Sequence, residues 1–383
     1  MKVFLQSIVA QLLLNPYVFW RGYQALPPCK GWRVSYTLLF VLELLLYFVG
    51  FFFYKELPDE WLVPLMFVCN TWYIACLYIT LSLLVLEGLR LLNRWWHWYP
   101  AWLSARWQQV KLTLFFLILL AVTLLMVHAN HVVNYPSVTH VNITIPKQAA
   151  GRDSLTIVMM SDLHIGEMIG KKLVQRYVAL SNAQHPDMVV LVGDIMDYES
   201  RFAEKEHIED DLQQLKAPLG VYIVNGNHEY RANRFAKRRW LQKTGGILLI
   251  DSVVMPDSSF YLIGRDDRIN RKRAALHTLM AGLDTTKPLL LLDHQPLSFN
   301  EMLMNRIDFG MHGHTHNGQF WPYPLVMKLV YECPYGYYRK GDTQFYVSSG
   351  IGIAGPPYRV GTASELVVLH IHFSPNPVGH HAL

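Results

Sequence analysis

The chain has 383 residues, 52% of them hydrophobic, and a formal net charge of +5. That length exceeds one ordinary domain, and so modest a positive balance makes no case for a nucleic-acid partner. The four cysteines, Cys29, Cys69, Cys76 and Cys333, form neither a zinc nor a redox spacing.

Apolar residues crowd the first third, which reads as a membrane domain over 1–130 with three or four hydrophobic helices. A bilayer core needs roughly 20 apolar residues of helix, and the stretches 34–54, 62–86 and 110–129 supply them. The opening run, 3–20, is shorter and broken by Gln6, Gln11, Asn15 and Pro16; it spans the bilayer or lies in its interface. No small-residue cleavage site follows it, which argues against a cleaved signal peptide.

Loop charges give an orientation. Residues 21–33 carry Arg21, Lys30 and Arg33, and residues 90–109 carry Arg90, Arg94 and Arg106 with no acid. Residues 55–61 set Lys55 against Glu56, Asp59 and Glu60. The positive-inside rule puts the two basic loops in the cytoplasm, with Trp95, Trp96, Trp98, Trp102 and Trp107 as an interface belt. This predicts that everything beyond residue 130 is extracytoplasmic. Glu43 falls mid-span and is either a functional carboxylate or a protonated one bonded to a neighbouring helix.

Residues 131–153 read as a polar linker. From Leu155 onward, short runs rich in Val and Ile alternate with polar, helix-like segments: LTIVMM, MVVLV, VYIVN, ILLI, FYLIG, LLLLD, FYVSS and LVVLHI. Such alternation predicts an α/β domain over 154–373. The residues from 374 to 383, with Pro375 and Pro377, read as a loose tail.

The polar clusters stand where those runs end, the edge at which α/β sheets bind ligands. They are SDLH with Asp162 and His164, GDIMD with Asp194 and Asp197, GNHE with Asn227, His228 and Glu229, DHQP with His294, and HGHTH with His314 and His316. Asp162 and His164, like His314 and His316, are two residues apart, so on an extended segment both would point one way. Unpaired buried charges are costly, so a converging set of Asp and His requires a cation. Oxygen and imidazole donors without thiolate suit Mn, Fe or Zn. Seven ligating side chains exceed what one ion takes, which points to two divalent metal ions.

In this order the five blocks resemble the calcineurin-like metallophosphoesterases, whose pattern runs D-x-H, G-D-x-x-D, G-N-H-[DE], H, G-H-x-H. Residues 154–372 carry the resemblance, and GHTHNGQ, with hydrophobic helices upstream, is similar to the membrane-anchored bacterial branch. The resemblance implies two mixed β-sheets flanked by helices. It implies one metal on Asp162, His164, Asp194 and His316, and a second on Asp194, Asn227, His294 and His314. His228 would then lie beside the phosphate and protonate the departing oxygen. Asp197 and Glu229 match motif positions and read as groups that orient the histidines; His312 matches no ligand position and reads as structural. Two ions can activate a bridging water and clamp the attacking and leaving oxygens of an in-line displacement.

Three further segments bear on the substrate. FWPYPLVMKLVYECPYGYY, after the last block, is either a lipid-facing flap or an apolar cover on the sheet. RANRFAKRRW, after GNHE, faces anionic head groups or is a solvated helix face, and RDDRINRKR reads as a loop. Arg359 is a candidate to reach the substrate phosphate. The expected function is a membrane-anchored hydrolase of a phosphodiester or pyrophosphate bond, acting on a lipid-linked substrate by analogy with UDP-diacylglucosamine pyrophosphohydrolases of the same superfamily. The alternatives are a nuclease or cyclic-nucleotide phosphodiesterase, and a non-catalytic membrane receptor or scaffold. No nucleic-acid partner is expected.

Overall fold

The structure, a computed structural model, describes residues 2–297 and 299–374, so most of the expected tail lies outside the described residues. The chain forms two compact units, the first up to residue 130 with 355–357 and the second from 131 to 354 and from 358 onward.

The first unit is helical: α1 (Lys2–Ala25), α2 (Lys30–Phe52), α3 (Asp59–Trp96), the short α4 (Ala101–Ala105) and α5 (Trp107–Asn134). Of these, α2, α3 and α5 are long and apolar enough to cross a membrane. The α1 helix runs through Pro16 without a break. Glu43 is buried, and its carboxyl accepts from Gln11 Nε2 at 2.7 Å and Asn15 Nδ2 at 2.8 Å. Asn15 Oδ1 in turn takes the Trp72 indole N–H at 2.8 Å. The carboxyl is thus bonded to the neighbouring helix, and three helices share one polar cluster, the arrangement a low-dielectric environment demands of polar groups.

The second unit holds β1 (Ser137–Ile145), β2 (Ser154–Met160), β3 (Met188–Val192), β4 (Val221–Val224), β5 (Ile247–Leu249), β6 (Ser252–Val254), β7 (Tyr261–Gly264), β8 (Leu289–Leu292), β9 (Phe309–His312), β10 (Gly336–Lys340), β11 (Thr343–Val347) and β12 (Glu365–Phe373). They make two six-stranded mixed sheets, ordered β1-β12-β2-β3-β4-β5 and β10-β11-β9-β8-β7-β6. The expected linker is therefore corrected: residues 137–145 form β1, paired in parallel with β12. Its alternation of exposed and buried residues, SVTHVNITI, marks a half-covered edge strand rather than a connection.

Strand sequence explains the layering. In β2, Leu155, Ile157 and Met159 join the core between the two sheets, while Val158 and Met160 join the core under the Lys171–Asn182 helix. Leu290, Leu292 and Met311 meet the inter-sheet core from the other side. A strand such as MVVLV, buried throughout, has both faces covered. The ends of β2, β3, β4, β8 and β9, all parallel to a sheet neighbour, then bring five loops together.

Candidate metal centre

Each polar cluster follows a strand by two or three residues: Asp162 after β2, Asp194 after β3, Asn227 after β4, His294 after β8 and His314 after β9. The convergence does not come from extended backbone, as the i, i+2 spacing suggested. Asp162, His164, Asp194, His314 and His316 all have positive φ, between 50° and 74°. Left-handed backbone at residues with a side chain costs about 1–3 kcal/mol each and gathers at functional sites. Here it is held by a lattice of backbone bonds, Asp162 N to Gly193 O and His164 N to Asp194 O, both at 3.0 Å.

Two clusters, Asp162 with His164 and His316, and Asp194 with His294 and His314, are joined by a third group, His164 with Asp194 and His228, the ligating atoms of each lying within 4.8 Å of one another. Asp194 Oδ2 is 3.2 Å from His294 Nε2 and 3.7 Å from His164 Nε2, so this carboxylate faces both groups. Its Oδ1 accepts the His228 backbone N–H at 2.7 Å. Both Asp162 oxygens accept from His314 N at 3.0 Å, tying the first loop to the last. Gly193, at φ 77°, is needed as glycine because a Cβ there would come within 2.6 Å of the His294 ring.

The charges in this buried volume do not balance comfortably. Burial opposes the Asp194 charge, but His294 and His228 hold its carboxyl well below the ordinary range. Burial lowers the His294 imidazole, yet Asp194 outweighs it and raises the group well above its ordinary value. Burial pushes the Asp162 carboxyl up although His294 pulls against it. His314 is pushed down to about 3 by burial and the neighbouring His294. His316 is lowered by burial, His164 and Arg359.

These residues fit divalent metal. His164 Nε2 and His316 Nε2 face each other at 3.0 Å, about the separation of two ligand atoms at right angles on bonds of about 2.1 Å. Asn227 Oδ1 and His314 Nδ1 are buried with no hydrogen-bond partner among the described residues, a costly state unless something else fills them. His294 Nδ1 lies 2.8 Å from the Val192 carbonyl, to which it donates, so that the Nε2 lone pair is the one turned to the cluster.

Around the clusters, Asp197 Oδ1 lies 2.8 Å from His228 Nδ1 and 3.4 Å from His164 Nδ1. Glu229 orients no histidine. It accepts backbone N–H groups from Asp194, Ile195, Met196 and Gly226 at 2.7–3.1 Å, pinning the β3 loop to the β4 loop. Arg359 reaches the first cluster from behind, with Nη2 at 3.2 Å from His316 Nδ1. It is 1% exposed and donates to the carbonyls of His316, Ser349, Gly350 and Gly352. His312 lies off both clusters, with Nδ1 at 2.5 Å from Asp293 O and its ring against Phe299.

Two basic residues escaped the sequence reading. Lys237, from the run taken as a head-group or solvent face, is 1% exposed and donates to His228 O at 2.7 Å and to Asp197 O. The signal was helical spacing: Lys237 shares the inward face of the Arg234–Leu241 helix with Trp240 and Leu241. Arg231, just after the His228–Tyr230 turn and before that helix, places Nη1 at 2.5 Å from His228 Nε2. In RDDRINRKR, Arg273 forms a two-pronged ion pair with Asp293, next to His294, at 2.8 and 3.1 Å.

Comparison with known proteins gives four findings. The profile of the calcineurin-like phosphoesterases matches residues 155–318. The chain is 30% identical to a transmembrane protein with metallophosphoesterase domain from Danio rerio, over 95% of this chain and 87% of that one. It is 30% identical to an uncharacterized metallophosphoesterase of Campylobacter jejuni, over 67% and 68%. Among solved structures, a dimetal phosphatase from Danio rerio is similar at 14% identity and a TM-score of 0.36, covering 57% of this chain and 99% of that one.

Proposed function

Because the chain belongs to the calcineurin-like metallophosphoesterase family, we propose that it hydrolyses a phosphoester or pyrophosphate bond. The observation that carries this is Asp194, which groups with His294 and His314 and lies 3.7 Å from His164 of the other cluster, with His228 alongside. Asp162, His164, Asp194 and His316 would hold one divalent ion and Asp194, Asn227, His294 and His314 the other. Two such ions neutralise a phosphoryl group and activate water for in-line attack.

The protein's own part is positioning and proton transfer. As the P–O bond breaks and water's oxygen joins phosphorus, the departing oxygen needs a proton, and His228 supplies it. Asp197 fixes that ring through Nδ1, which leaves Nε2 facing outward. Lys237 braces the two backbones from which Asp197 and His228 project.

The substrate class we propose is a lipid-linked phosphoester or pyrophosphate, with α2, α3 and α5 as bilayer spans and the second unit extracytoplasmic. The Tyr323–Val330 helix supports it. The helix follows the last metal block directly and turns Leu325 (54% exposed), Leu329 (87%) and Val330 (61%) to solvent around one buried Met327. Exposed aliphatic and aromatic side chains in one segment suit a membrane interface.

The test uses the whole chain in detergent, stripped of metal and reconstituted with Mn, Zn or Mg, on a chromogenic phosphodiester. Metal-dependent turnover that disappears in Asp194→Asn and His228→Ala is the expected result. Turnover that persists in both variants would refute the assignment.

A further inference from the structure

We propose that Arg231 is a substrate-binding residue, an anion subsite that grips the phosphoryl group beside His228. The inference takes its substrate from the phosphoester reading above, but its geometry is independent of it. Arg231 follows the short turn His228–Tyr230, and its backbone N–H closes that turn on His228 O at 3.0 Å. Lys237 fixes the same carbonyl, so the root of the Arg231 side chain is anchored to the catalytic loop.

From there the guanidinium reaches Nε2 of His228 at 2.5 Å. Because Nδ1 of that ring faces Asp197, Nε2 carries the lone pair, and Arg231 donates into it. The guanidinium charge is also among those acting on His314, so it lies close to the second cluster as well. Other arginines of this unit are neutralised: Arg152 by Asp257, Arg265 by Glu301, Arg273 by Asp293. Among the described residues no carboxylate pairs with Arg231.

A half-buried guanidinium whose acceptor is a neutral imidazole is under-satisfied. Its flat fork of donors matches phosphate oxygens, and an anionic oxygen is the stronger acceptor. Arrival of a phosphoryl group would therefore draw Arg231 from Nε2. Nε2, released from the guanidinium, is then free to take up a proton from solvent and pass it to the leaving oxygen. Sequence position alone could not show this, because Arg231 heads a basic run whose next cations, Arg234, Arg238 and Arg239, are exposed.

The test is titration of inorganic phosphate, by calorimetry, into the metal-loaded full chain and into Arg231→Gln and Arg231→Lys, with metal content measured in each. The expected result is phosphate affinity reduced about 10- to 100-fold in Arg231→Gln, as for loss of a hydrogen bond to a charged group. Arg231→Lys should recover part of it, with metal content unchanged in both. KM for the chromogenic ester should rise in parallel. Wild-type phosphate affinity in both variants would overturn the proposal, as would no phosphate binding by the wild type or loss of metal in both variants. If the wild type binds phosphate through Arg231 but hydrolyses no ester, the functional reading fails and the subsite stands.

Discussion

Asp197 Oδ1 stands 2.8 Å from His228 Nδ1, and the same oxygen is 3.4 Å from His164 Nδ1. One carboxylate oxygen thus lies beside two imidazoles, one assigned to the metal and one to the leaving group. In Asp197→Asn the shape is kept and the charge is lost, so both rings lose the partner that fixes their tautomer. Such outer partners are worth about 10–100-fold in metal affinity or activity. We expect kcat to fall within that range while the fold is retained, measured as turnover and near-UV circular dichroism. Unchanged kcat would mean that the rings are held by packing alone.

Glu229 gives a different outcome, because its four partners are backbone N–H groups of the β3 and β4 loops. Truncation to alanine strands these donors in a buried volume. At about 1–3 kcal/mol for each unsatisfied group, we expect Glu229→Ala to destabilise the second unit by about 3 kcal/mol or more. The measured effect would be a melting temperature lower by roughly 10 °C. A loss of activity with no change in melting temperature would instead put Glu229 in the chemistry.

The convergence of Asp162, His164, Asp194, Asn227, His294, His314 and His316 was legible because each follows a β-prone apolar run. Strand ends in α/β sheets are read from local sequence alone. What the pattern could not give was the means of convergence. Positive φ at Asp162 and His164 is imposed by bonds to the β3 loop, a partner far away in sequence. Glu229 and Arg359 look like site groups because they are charged and near motifs, but most of their partners are backbone amides and carbonyls, which no side-chain pattern records; Arg359 Nη2 also meets His316 Nδ1 at 3.2 Å. Lys237 and Arg231 sit in one basic run and point to the site, while Arg234, Arg238 and Arg239 are exposed; helix phase singles out Lys237, whereas Arg231 precedes the helix and is placed by the turn after His228. The β1 strand was hidden because an edge strand half open to solvent is as polar as a linker.

A pH effect is expected away from the centre. His140 Nδ1 lies 3.1 Å from His370 Nε2 across the β1–β12 pair, with the rings stacked at 5.4 Å between centroids. Burial, His140 and His372 lower the His370 imidazole below its ordinary 6.5. The unfolded chain therefore binds this proton more readily than the folded one. The stability the group contributes is present above pH 6.5 and is lost as the pH falls through the lower folded value. We expect the melting temperature of the wild type to drop more steeply between pH 7 and 5 than that of His370→Gln. Parallel slopes would show that the pair does not titrate on unfolding.

The central carboxylate makes the sharpest prediction. Asp194 groups with His294 and His314 and also with His164 and His228, whereas His314 belongs to one group. Removing a shared ligand should therefore empty both sites, and removing an unshared one should empty a single site. We expect two equivalents of metal per chain in the wild type, about one in His314→Ala and well under one in Asp194→Asn, by elemental analysis. Stability should follow, because an ion bound only to the folded state adds RT ln(1 + [L]/Kd), about 4 kcal/mol at a thousandfold excess over Kd. Chelation should lower the melting temperature of the wild type, and less so that of Asp194→Asn, which has little metal to lose. Equal metal loss in the two variants would mean that Asp194 does not bridge, and that the two clusters fill independently.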